Sequence, residues 1–246
     1  MTRGILSGLI LLGLTLVPAA AATPLVEPRL TLAHTSAHQQ PHLALTLDAC
    51  SGKADQRIFQ ALVANNIPAT VFVTARWLKR NAETTALMLA HPDLFQIENH
   101  GGRHIPAVDV PMKVYGIAAA GSPAAVEAEV LSGKAAVIAA TGRTPFWYRG
   151  ATGRYNTAAI AEIAGLGEAI AGYSIKADDG ATLAAASVQK RLTKVQDGDV
   201  IIAHANHPEK PSGAGVVKAI LALKAKGYLF VKLGNPPRQP IPSHAS

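Results

Sequence analysis

Short apolar runs alternate with amphipathic stretches along most of this chain, and that alternation leaves few folds open. "HLALTL" (42–47), "ATVFVT" (69–74), "LFQIEN" (94–99), "PFWYR" (145–149), "EAIAGYSI" (168–175), "GDVIIA" (198–203) and "YLFVKL" (228–233) read as strands. Their continuous apolar character predicts burial on both faces, as in parallel sheets covered by helices. Between them, 54–66, 76–92, 122–141, 156–167, 182–195 and 212–227 read as helices. Ser122-Pro123 and Asn156 supply helix-start signals. About seven strand–helix units predict one α/β domain, an irregular (β/α)7-type barrel with mainly parallel strands, closed or nearly closed. The longest segment without an assignment, 101–121, is a candidate lid or substrate wall.

The ends of the chain read differently. Residues 1–22 carry Arg3, an apolar run from Ile5 to Val17, and small residues ending in Ala20-x-Ala22. That is the pattern of a signal peptide, with an apolar core too short for a comfortable span. The expectation is an exported protein, periplasmic or secreted, with no stable membrane span after cleavage. Residues 23–41 read as an extended lead-in, 42–233 as the barrel, and 234–246 as an irregular Pro-rich tail. The chain's one cysteine, Cys50, excludes an internal disulfide.

The formal charge is +7, but no basic run or basic stripe interleaved with aromatics accompanies it, so nucleic acid is not the expected partner. No G-x-G-x-x-G or Walker A loop follows any strand, so nucleotide binding has no support.

In parallel barrels the chemistry sits at the C-terminal ends of the strands. Asp48, the pair His100 and His104, Arg149, the pair Asp178 and Asp179, and His204 with His207 all fall at such ends. Each has an ordinary alternative taken singly. Asp48 suits an Asx turn, and two loop histidines are usually solvated. A His-x-x-x-His segment also suits a divalent metal such as zinc. Arg149 follows an apolar run and needs a partner if buried. A histidine that ends a buried strand, as His204 does, is either a satisfied core residue or a site residue.

Taken in order, these segments resemble the polysaccharide deacetylases, carbohydrate esterase family 4, over roughly residues 42–233. "TLDACSG" matches the first motif, T-F-D-D-G, with Asp48 at the position of the catalytic base and Ala49 where the family has a metal-binding Asp. "HGGRH" matches the second and implies His100 and His104 as ligands of a divalent metal, zinc for preference. "RGAT" keeps Arg149 of R-x-P-Y, "ADDG" keeps Asp179 of the fourth motif, and "IAH" places His204 as the acid. The resemblance implies a metal-dependent hydrolase that removes N-acetyl groups from a polysaccharide or peptidoglycan. Arg149 would orient Asp48, and Asp179 would favour the charged ring of His204. The backbone of Thr152 would serve the oxyanion, and Trp147 and Tyr155 are candidate rings for sugar contact.

The missing carboxylate at 49 leaves three repairs open. Asp55 can loop back as third ligand, which is the preferred reading; Asp48 can itself bind the metal; or the site can be metal-free or inactive. Cys50, with no histidine close in sequence, is placed behind these as a packed residue rather than a thiolate ligand or nucleophile. Two further readings are carried: a non-catalytic glycan-binding envelope protein on the same fold, and a different amidase or deformylase.

Overall fold

The computed structural model describes residues 23–34 and 40–236. The expected signal peptide and most of the Pro-rich tail lie outside these residues. Among the described residues no helix is long and apolar enough to cross a membrane.

The expected alternation is present. β1 (His42–Ala49), β2 (Ala69–Val73), β3 (Phe95–Asn99), β6 (Trp147–Tyr148), β7 (Ala169–Ile170), β8 (Ile175–Lys176), β9 (Val200–His204) and β10 (Leu229–Val231) form one eight-stranded sheet, and β4 (Lys113–Val114) and β5 (Ile117–Ala118) form a small antiparallel hairpin. Spatial order in the large sheet is β7-β6-β3-β2-β1-β9-β8, with β10 beside the start of β1, and the pairings are parallel. The helices are α1 (Gln56–Ala64), α2 (Ala75–Arg80), α3 (Ala82–Ala90), α4 (Pro123–Thr141), α5 (Thr157–Gly165), α6 (Ala185–Leu192) and α7 (Ser212–Ala225). The central strands β1 and β2 are buried along almost their whole length because helices cover one face and the curled sheet encloses the other. Leu43, Leu45, Leu47 and Ala49 pack with Ile58, Phe59, Leu62 and Ile220 on the helix side.

Two expectations are corrected. The helical stretch 76–92 is two helices, because Asn81 ends α2 and starts α3. Its side chain donates to Trp77 O and Gly52 O and accepts from Ala54 N, which ties the break to the loop after β1. The single strand expected over 168–175 is two short strands at opposite edges, β7 against β6 and β8 against β9. The barrel is therefore open: among the described residues β7 and β8 are not paired with each other. The lead-in crosses this gap. Val26 N donates to Tyr155 O (2.7 Å), Leu30 N to Tyr173 O (3.4 Å) and Leu32 N to Gly198 O (2.8 Å), while Leu30 and Leu32 pack against Trp147, Ala171 and Val200. Gly172 is needed there, since a Cβ would run into Pro28 O.

Candidate active site

The parallel register of β1 against β9 sets Asp48 directly beside His204. Side chains alternate along a strand, so Asp48 points to the enclosed face and Ala49 joins the helix-side core. Cys50 follows two residues after Asp48. His100 leaves the end of β3, two strands away, with its N–H bonded to Val73 O.

Arg149 is fully buried and extends beneath these residues. It donates to Asp48 Oδ1 (2.9 Å), Thr46 Oγ1 (2.9 Å), Ala171 O (3.0 Å) and Gly172 O (3.0 Å), and its guanidinium lies 4.2 Å over the Phe72 ring. Four bonds and a ring face satisfy a cation that could not otherwise be taken out of water. Burial alone would raise the Asp48 carboxyl, but the Arg149 charge, with His100 and His204, holds it below its ordinary value.

His204 is held by Asp178, not Asp179. The Asp178 carboxylate accepts from the His204 backbone N–H (2.8 Å) and from Nδ1–H of the ring (2.8 Å), which directs Nε2 away from it. Burial opposes the charged imidazole, but Asp178 and Cys50 more than reverse this and hold it well above the usual range. Asp179, at φ +47°, does not touch the His204 ring; it pairs with Arg191 at 2.7 Å and lines the mouth of the cavity onto which His204 opens.

The loop "HGGRH" is built against α4. Glu129, buried on that helix, accepts from the N–H groups of Arg103 (2.9 and 3.0 Å) and Ile105 (3.1 Å), on either side of His104. That clamp holds His104 at φ +64°, a left-handed conformation a histidine rarely adopts unaided. The two rings lie 5.0 Å apart between centroids. His100 donates through Nδ1 to the Arg149 carbonyl, which can only accept, so Nε2 is the ring nitrogen that faces the site. That Nε2 is 3.3 Å from Cys50 Sγ and 3.8 Å from Asp48 Oδ2. Ligand atoms of Cys50, His100 and His104 all lie within 4.8 Å of one another. Burial pushes the Cys50 thiol up, but the His100 charge and contacts with His100, His104 and His204 hold it well below its ordinary value. One thiol and two imidazoles are a donor set suited to a thiophilic divalent metal.

Asp55 is not part of this group. Its carboxylate caps α1 by accepting from Arg57 N (3.2 Å) and takes two bonds from the Arg57 guanidinium (2.8 and 2.6 Å). The loop after β1 does not return Asp55 to the rim, because Asp55 N bonds to Ala205 O and α1 begins there. Trp147 and Tyr155 are also placed elsewhere. Trp147 is buried with Nε1 donating to Gly234 O (2.7 Å), and Tyr155 is buried beneath the turn after β6, its hydroxyl accepting from Gly150 N (2.7 Å).

Asp48, His104, Asp178 and His204 open onto a cavity of ≈570 Å³. Thr152, in a tight turn at φ +71°, lines it, as do Tyr173, Lys176 and the hairpin residues Tyr115 and Ile117. Tyr115 escaped the sequence reading because it lies in the segment 101–121 without strong periodicity. Cys50 was set aside because its partners are distant in sequence.

Solved structures with this architecture include a CE4 family pseudoenzyme from Bacillus anthracis, with 18% identity and a TM-score of 0.62, covering 79% of this chain and 64% of that one. A peptidoglycan deacetylase from Bacillus subtilis has 18% identity and a TM-score of 0.64, with 79% and 88% covered. A family 4 carbohydrate esterase from Streptomyces lividans, in complex with acetate, has 21% identity and a TM-score of 0.61, with 77% and 91% covered. The chain thus spans less than two thirds of the pseudoenzyme's length. No curated protein matches it. The family model described as polysaccharide deacetylase matches residues 35–170, more than half of the sequence, and the chain belongs to the polysaccharide deacetylase family.

Proposed function

We propose that this protein is an exported, metal-assisted amide hydrolase that removes N-acetyl groups from a cell-envelope or extracellular glycan. The observation that carries the reading is the pairing of acid and base in one cavity: Asp48 held by Arg149, and His204 held by Asp178, on adjacent strands beside two imidazoles.

Asp48 is the base. Its carboxylate stays ionised beside Arg149 and takes the proton from the attacking water. His204 is the acid. An amide nitrogen leaves only when protonated, and Asp178 keeps the imidazole charged and aimed to deliver that proton. Thr152 is the residue whose backbone N–H serves the developing oxyanion from the cavity wall. His100 and His104 would hold a divalent metal, which when bound acidifies water and polarises the acetyl carbonyl. A binding protein that merely docks a glycan has no use for two separately oriented acid and base groups. Their joint presence favours the hydrolase.

The test is acetate release from N-acetylated glycans, peptidoglycan and chitin oligomers among them. Asp48→Asn and His204→Ala are each expected to lower the rate by about 10²-fold or more. Unchanged rates in either variant would remove that residue from its role.

A further inference from the structure

We infer that Cys50 is the third protein ligand of the metal: the centre is a thiolate–bis-imidazole site selective for thiophilic divalent cations such as zinc over manganese or magnesium. The inference rests on the reading of His100 and His104 as the metal-holding pair.

Four observations support it. First, the distances suit ligands around a single ion. A tetrahedral zinc with Zn–S near 2.3 Å and Zn–N near 2.0 Å separates sulfur from nitrogen by about 3.5 Å. Cys50 Sγ stands 3.3 Å from His100 Nε2, and the three donor atoms of Cys50, His100 and His104 fall within 4.8 Å of one another. Second, His100 is already oriented for coordination. Its Nδ1–H is committed to the Arg149 carbonyl and Nε2 faces the sulfur, the outer-shell arrangement common among metal-bound histidines.

Third, the carboxylates that would compete are held by other partners, except Asp48 Oδ2, which stands 3.8 Å from His100 Nε2. Asp55 is held by Arg57 and its helix, Asp178 by His204, and Asp48 Oδ1 by Arg149. Ala49 has no donor and packs in the helix-side core. Fourth, the group is held before any ion arrives. Glu129 clamps the backbone on both sides of His104, and Thr74 Oγ1 donates to Cys50 O at 2.6 Å. A soft sulfur donor in place of a carboxylate oxygen shifts preference away from hard cations.

The deciding experiment titrates the metal-stripped full chain with Zn(II), Mn(II) and Co(II), reading affinity by chelator competition and following the cobalt spectrum. Cobalt bound by a thiolate has an intense sulfur-to-metal charge-transfer band in the near ultraviolet; cobalt bound by oxygen and nitrogen alone lacks it. The expected result is about one cobalt per chain with that band, and zinc bound far more tightly than manganese. Cys50→Ser should abolish the band and weaken zinc by more than about 100-fold. Cys50→Asp should recover much of the zinc affinity without the band. Cobalt bound by the wild type without the band, at an affinity that Cys50→Ser leaves unchanged, overturns the Cys50 assignment while the His100/His104 metal reading stands. Neither zinc nor cobalt bound by the wild type overturns both. In that case, stoichiometric alkylation of Cys50 with loss of amidase activity would mark the thiolate as a nucleophile instead. Should Cys50→Ser fail to fold, the wild-type cobalt band alone decides the question.

Discussion

Two adjacent aspartates show how fine the decisive information is at the scale of the residue. Asp178 is buried and bonds both the backbone and the ring of His204; Asp179 lies on the surface against Arg191. Nothing in "ADDG" separates them, because the distinction is made by the backbone, with φ +47° at Asp179, which leaves the second carboxylate on the cavity wall paired with Arg191 and without a contact to the ring. The alignment of motifs pointed to Asp179; the backbone assigns the contact to Asp178. Asp178→Asn is therefore expected to lower acetate release by about 10²-fold or more, since the imidazole loses both its orientation and its counter-charge. Asp179→Asn, which removes only an exposed ion pair, should leave the rate within about twofold. The reverse ranking in parallel rate measurements would exchange the two roles. Cys50 illustrates the same limit. Its thiol gains meaning only from His100, brought beside it by the order of three parallel strands, β1, β2 and β3.

At the scale of elements, the strand–helix rhythm was legible because the central strands are mostly apolar runs and α1, α2 and α4 start at capping side chains, Asp55, Thr74 and Ser122. The break at Asn81 and the split of 168–175 were not. Each depends on a tertiary partner, the loop after β1 in one case and the lead-in segment in the other. β3 and β6 share only one register pair, Asn99 with Tyr148. Glu98 supplies what the short strand lacks: its carboxylate accepts from the N–H groups of Phe146 (2.9 Å) and Trp147 (2.8 Å). Burial nevertheless pushes this carboxyl up to about 7, and Glu168 likewise, with the Glu98 charge adding to the rise at Glu168. A carboxyl raised in the folded state binds protons there that the unfolded chain releases. Its effect on stability is thus absent below about 4.5, and stability falls as pH rises from there through about 7, by on the order of 3 kcal/mol for Glu98. Glu98→Gln should flatten that decline in urea unfolding followed from pH 5 to pH 8. An unchanged slope would show that the carboxyl titrates normally.

Packing of α4 on the loop after β3 gives a second expectation at this scale. A Cβ at Gly133 would stand 2.6 Å from the Gly101 carbonyl carbon and meet Asn99 Oδ1, the atom that accepts from Gly101 N. Gly133→Ala should therefore destabilise by about 1–3 kcal/mol through overpacking and weaken metal binding, because the displaced turn carries His100. At Gly165, at the end of α5, a Cβ meets nothing within 4 Å, and Gly165→Ala should be neutral or mildly stabilising. Equal effects of the two substitutions on thermal unfolding would contradict the close approach.

Over the whole molecule, the curled sheet leaves openings of different character at its two ends. The cavity at the C-terminal strand ends is lined by Asp48, His204 and His104. The other, of ≈600 Å³, is lined by Phe95, Gln96, Phe146 and Gly234 near the strand starts. The sequence located the first through the charged residues at strand ends, but it gave no view of the wall above it, because that wall is a hairpin of two-residue strands. Tyr115 sits at its turn, 67% exposed, with the Arg154 guanidinium 5.0 Å from its ring centre. One face of the ring is occupied by that cation, which leaves the other for the apolar face of a sugar. Such a contact is made alike in the bound ground state and in the transition state. Its loss should raise KM and leave kcat unchanged. Tyr115→Ala is therefore expected to raise KM for glycan oligomers by about tenfold, equivalent to about 1.4 kcal/mol of binding, and to have a smaller effect on an N-acetylated monosaccharide too short to reach the hairpin. Steady-state kinetics against oligomers of increasing length measures this directly. A fall in kcat at constant KM would instead place the hairpin among the groups that act on the reacting atoms.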